Sequence, residues 1–83
     1  MSELIKSIAI HRVDNWGVIY VNGKEIDQEH DVSDLLTELL DRVCQENGIG
    51  FEDEYHEDDD IAARVESHGR FPRTLEKLRE WKV

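Results

Sequence analysis

The apolar residues at the start of this chain occupy both sides of an extended backbone. Leu4, Ile8 and Ile10 fall on one side and Ile5, Ala9 and Val13 on the other, which predicts a strand buried on both faces. Asp14-Asn15 is a turn signal, and Trp16 to Val21 follows as an aromatic and β-branched strand. Asn22-Gly23 then predicts a two-residue hairpin, because a type I′ turn requires positive φ at both central residues. Counting outward from that turn sets Val21 opposite Lys24, Tyr20 opposite Glu25 and Ile19 opposite Ile26. Val18 then falls opposite Asp27, Gly17 opposite Gln28 and Trp16 opposite Glu29. In this register Ile19, Val21 and Ile26 form an apolar face. Trp16, Val18 and Tyr20 share the other face with a ladder of Glu25, Asp27 and Glu29.

From residue 32 the period changes. Val32, Leu35, Leu36, Leu39, Leu40, Val43 and Cys44 follow i, i+3, i+4, i+7 spacing and predict a helix over 32–47 with a broad apolar stripe. Asp31 or Ser33 would cap it, and Gly48 would end it as a C′ glycine. Asp34, Glu38 and Asp41 lie on its outer face. Ile49, Phe51 and Tyr55 fit either a short fourth strand or an ordered loop. A short helix over 61–67 follows an acidic lead-in that suits a helix N-terminus, and His68-Gly69 ends it. Pro72 opens the first turn of a last helix that carries Leu75, Leu78 and Trp81 on one side. The fold class is therefore α+β. A three-stranded antiparallel meander, with 49–55 as a candidate fourth strand, packs on one long helix and ends in one or two short C-terminal helices.

Charge sharpens this picture. Between Glu25 and Asp60 lie fifteen acidic residues and a single basic one, Arg42, within a chain whose net charge is −10. Such concentration opposes folding through self-repulsion. It either serves solubility or prepares the surface for a basic partner. The basic residues after Ile61 are interrupted by Glu66, Glu76 and Glu80 and read as neutralising the chain's own acids, so direct nucleic-acid binding is not expected. Eighty-three residues make one domain, 1–83, and no apolar run approaches the about 20 residues of a membrane-spanning helix. The N-terminus has no signal-peptide pattern, and the single cysteine cannot form an internal disulfide. These features imply a cytoplasmic setting, bacterial or that of an infected host cell.

Catalytic chemistry finds no set of residues. The serines sit in no nucleophile-elbow context, and Cys44 lies on the apolar stripe as a buried, inert thiol. An EF-hand loop started at Asp53 or Asp58 lacks the glycine at its sixth position. His56 with Glu52 and Asp60 would converge only on a helix, while His11, His30 and His68 are far apart in sequence. No metal and no cofactor are expected, and the acids of 52–60 read as a solvated loop. A cation-dependent role for that loop is one alternative function.

The stretch Trp16-Gly17-Val18-Ile19-Tyr20-Val21-Asn22-Gly23-Lys24, followed by His30 and a leucine-rich helix, resembles a loose group of small bacterial and phage proteins of uncharacterised role. That group shares a Trp-x-x-x-Tyr-Val-x-Gly-Lys hairpin, and Gly69, Phe71, Pro72 and Leu75 look like its usual ending. The resemblance implies a hairpin plus helices and transfers no activity. The general profile is also similar to small acidic phage inhibitors, including DNA mimics.

The expected function is a non-enzymatic acidic protein that engages a basic, nucleic-acid-processing protein and inhibits it in the manner of a nucleic-acid mimic. The other alternative is a small accessory domain whose acidity serves only solubility. Trp16 and Tyr20 would grip cationic side chains if their face is open, through ion pairs and cation–π contact. The opposing expectation is that Leu78 and Trp81 cover them. The acids expected at the partner surface are Glu25, Asp27, Glu29, Asp34, Glu38, Asp41, Glu52, Asp53, Glu54, Glu57, Asp58 and Asp59.

Overall fold

A computed structural model of the chain describes residues 4–14, 16–30, 34–57 and 59–81. The elements run β1 (Ser7–Val13), β2 (Trp16–Val21), β3 (Lys24–Glu29), α1 (Asp34–Asn47), β4 (Gly50–Tyr55), α2 (Asp60–His68) and α3 (Leu75–Glu80). The strands form one sheet in the order β3-β2-β1-β4. β1 pairs antiparallel with β2 and β2 with β3, but β4 joins β1 in parallel, from Ser7 opposite Gly50 to Arg12 opposite Tyr55, so the strands do not form the expected three-stranded antiparallel meander by themselves. The sheet is therefore mixed rather than purely antiparallel. Parallel neighbours need a crossover, and α1 supplies it, leaving the β3 edge and returning the chain at the β1 edge.

The turn at Asn22-Gly23 has positive φ at both residues, 52° and 81°. Asn22 also ties down the N-terminal segment: its side-chain oxygen accepts from the Lys6 and Ser7 amides at 2.7 and 3.2 Å. Next to the turn the expected pairs Val21–Lys24 and Tyr20–Glu25 form. Beyond them the register shifts at a β-bulge, so that Ile19 faces Asp27, Val18 faces Gln28 and Gly17 faces Glu29. The expected pairing of Ile19 with Ile26 is thus overturned. The reason lies in the core. Without the bulge, Asp27 would stand opposite the fully buried Val18, and an unpaired carboxylate there is costly. With it, Gln28 takes that place and satisfies its amide, accepting from Phe71 N–H and donating to Phe71 C=O, both at 2.9 Å.

Two cores result, one on each side of the sheet. Ala9, Val18 and Tyr20 pack with Ile61 and Val65 of α2, Phe71, and Leu75, Leu78 and Trp81 of the C-terminal helix. Ile8, Ile10 and Ile19 pack with Cys44, flanked by the half-buried Leu36 and Leu40 of α1. Of the expected α1 stripe, Leu35, Leu39 and Val43 are not core: they are 67%, 49% and 47% exposed. Leu4 and Ile5 precede β1 and are exposed as well.

The helix ends follow local rules. Asp59 caps α2 by accepting from the Ala62 amide, and Gly69 closes that helix with φ 80°. Gly48 has φ 67° after α1, as its C′ position requires. Thr74, not Pro72, starts α3, accepting from the Lys77 amide. Pro72 instead belongs to the segment that docks on the hairpin, where Tyr20 donates to its carbonyl and Leu75 N–H bonds Gly23 C=O. The proposed caps Asp31 and Ser33 lie outside the described residues.

Candidate functional site

The bulge splits the expected acid ladder. Glu25 remains on the Tyr20 side, where Arg70 binds its carboxylate at 2.5 Å. Asp27 and Glu29 pass to the opposite face of the sheet, the one that carries α1, and both are exposed. Tyr20 is completely buried and cannot grip a partner; the C-terminal segment covers it, as the opposing expectation held. Its burial pushes the phenol above its ordinary pKa near 10, with Glu25 adding to the shift and Arg70 opposing it. Trp16 is half-buried at the edge of the same core. Its indole N–H donates to Gln28 at 2.7 Å, and its ring meets His30 edge-on at 4.9 Å.

On α1, Leu35, Leu39 and Val43 recur every four residues and line one exposed strip beside the half-buried Leu36 and Leu40. Glu46 lies in line with that strip. Glu38 is exposed on the flank, and Asp41 is half-buried there, accepting from Gln45 at 3.0 Å. The Asp34 side chain and all of Asp58 lie outside what the structure describes.

The remaining acids lie on β4 and in the turn after it, and two of them enter a polar chain that sequence spacing did not reveal. His11 points to the α2–α3 side of the sheet and is 1% exposed. Parallel pairing brings it opposite Glu54, and His56, two residues on, is 2% exposed. His11 Nε2 donates to Glu52 Oε2 at 2.5 Å, and His56 Nδ1 donates to Asp59 Oδ2 at 2.8 Å. The inner nitrogens, His11 Nδ1 and His56 Nε2, are 2.9 Å apart. The ring centres are 5.2 Å apart and the rings 10° from parallel, so the two imidazoles meet edge to edge in nearly one plane. Glu54 Oε2 lies 3.8 Å from His11 Nδ1.

Each end of this chain is anchored. Arg79 of α3 binds the second oxygen of Glu52 at 3.1 Å, and the second oxygen of Asp59 caps α2. Burial holds His11 below its ordinary pKa of 6.5, and the pull of Glu52 offsets only part of that. Burial also raises Glu52, but its bonds to His11 and Arg79 together leave it below its ordinary value. Asp53 points to the other face and pairs with Arg12 at 3.4 Å, while Glu57 is exposed. A cleft of about 640 Å³ opens beside His56, lined by Asp14, Trp16, His30, Tyr55 and Glu57.

The one sequence signal for this cluster was Glu54-x-His56, a spacing that shares a face once the segment is a strand. The signal is ambiguous, because 49–55 also fits a loop, in which the two side chains need not share a face. His11 is 45 residues away, and only the parallel pairing joins it. Among the described residues no helix is long and apolar enough to cross a membrane. No protein-family model, no curated protein and no solved structure matches this chain.

Proposed function

We propose that this chain is an acidic binding protein whose contact surface is the α1 side of the sheet. The observation that carries the reading is the exposed strip of Leu35, Leu39 and Val43 with Glu38 and Glu46 beside and along it. Large apolar side chains left in water at helical spacing mark a contact surface more often than an accident of folding. Asp27 and Glu29, moved to the same side of the sheet by the bulge, extend the negative field. The complementary partner is a basic protein that offers an apolar ridge between cationic side chains, and inhibition of a nucleic-acid-processing protein is the role that fits this charge. Charge and apolar exposure support it. The regular spacing expected of a phosphate mimic does not, since Glu25 is held by Arg70 on the far face.

The test is affinity capture from the native cell, followed by titration of the identified protein with the parent and two variants. Leu35→Lys with Leu39→Lys should abolish binding, and Asp27→Lys with Glu29→Lys should slow association. Binding to the parent should weaken steeply with salt, because steering is screened within about 10 Å at 0.1 M. DNA or RNA should compete for the partner. Equal binding by the leucine variant removes α1 from the reading, and a ternary complex with nucleic acid removes inhibition by occupancy.

A further inference from the structure

We propose that His11, Glu54 and His56 form a binding site for a divalent transition metal of the zinc class. Three donor atoms converge there from β1, β4 and the turn after β4: His11 Nδ1, His56 Nε2 and a Glu54 carboxylate oxygen, all within 4.8 Å of one another. What separates this cluster from ordinary surface acids is what holds it. Both histidines are buried, and each gives its outer N–H to a carboxylate, Glu52 for His11 and Asp59 for His56. Those bonds set the tautomers, so both inner nitrogens present lone pairs. A carboxylate behind each ligating imidazole is the usual second layer of a metal site, where it orients the ring and strengthens it as a ligand.

The inner contact itself calls for a cation. With both outer N–H groups committed to ionised carboxylates, two neutral rings would face each other lone pair to lone pair at 2.9 Å. Either one shared proton or a metal ion resolves that. Zinc bonds to imidazole nitrogen are about 2.0–2.1 Å, which sets two tetrahedral nitrogen ligands about 3.3 Å apart. The rings therefore need to part by a few tenths of an ångström and swing their lone pairs toward Glu54. The His56 amide is held by Arg12 C=O at 2.7 Å, so the adjustment falls on the side-chain torsions of the two rings. Two nitrogens and one oxygen favour zinc, cobalt or nickel over calcium or magnesium, which prefer all-oxygen shells. Three protein ligands leave a coordination position for water, and the Glu54 side chain, 40% exposed beside the two buried rings, marks the side of the cluster that water can reach.

The experiment titrates the full chain, stripped with chelator, with zinc sulfate by calorimetry in excess magnesium, and records its melting temperature. One equivalent should bind and raise the melting temperature, since a ligand of the folded state stabilises it by mass action. Glu54→Gln keeps the side-chain shape and should weaken zinc binding at least roughly 100-fold, and Asp59→Asn, still a capping residue, should weaken it roughly 10–100-fold. Nitrogen NMR of the parent should show His11 Nδ1 and His56 Nε2 shifting together as zinc is added. Zinc that magnesium displaces, or that Glu54→Gln binds as tightly as the parent, overturns the site. So does an unchanged histidine spectrum at saturating zinc, which would leave the pair sharing a proton only.

Discussion

The two faces of the sheet have similar sequence patterns and opposite fates. On the α2–α3 side, Val18, Tyr20, Phe71 and Leu78 are wholly buried, and the polar groups among them are matched by Gln28, Pro72 and the histidine chain. On the α1 side, Ile8, Ile10, Ile19 and Cys44 are buried, yet the helix above them exposes three large apolar residues in a row. Stability is concentrated on the first side, and surface left for contact on the second. A helix of 14 residues has more apolar positions than one sheet face can cover, and the proposed contact surface rests on that surplus.

The largest expected effect falls on the buried side. Phe71 has no exposed surface, and its backbone is held at both polar groups by Gln28. Phe71→Ala should cost about 3–5 kcal/mol by urea denaturation. For a domain of this size that is a large part of the total, about 4–12 kcal/mol. A loss under about 1 kcal/mol would mean that the C-terminal segment does not seal this face.

A smaller effect is expected at Tyr20, whose hydroxyl donates to Pro72 C=O at 2.6 Å. Tyr20→Phe leaves that carbonyl without its partner and should cost about 1–2 kcal/mol. The pH dependence has a definite sign. Because burial raises the Tyr20 pKa, the folded state holds the phenolic proton more firmly than the unfolded state does. Its contribution is complete below pH 10 and is lost as pH rises past 10, where the unfolded chain ionises first. The parent should therefore lose stability faster than Tyr20→Phe between neutral pH and pH 11, measured by denaturation at each pH. Parallel curves would show that Tyr20 is open to water.

Local signals in the sequence carried the local structure. Asn22-Gly23 set the turn and its two nearest pairs, and the leucine spacing predicted a helix over 32–47, of which the described part is α1, Asp34–Asn47. What failed was whatever depended on distant partners. The bulge answers to Phe71, 43 residues from Gln28, and no rule about hairpin turns contains it. The parallel position of β4 answers to a crossover, and Glu52, Asp53 and Glu54 gave that strand the composition of a loop. The same distance hid the histidine pair. The acid positions were legible as charge but not as surface, because Arg70, His11 and Arg79 engage Glu25 and Glu52 from remote parts of the chain.

The division between a sealed face and an open one is tested most directly by urea denaturation of Leu35→Lys with Leu39→Lys. Lysine is nearly as good a helix former as leucine, and two added positive charges reduce the self-repulsion of a −10 chain. If these leucines are solvent-facing, the midpoint should match or exceed that of the parent. A midpoint lowered as far as that of Phe71→Ala would place them in the core and contradict the account of α1 as the contact surface.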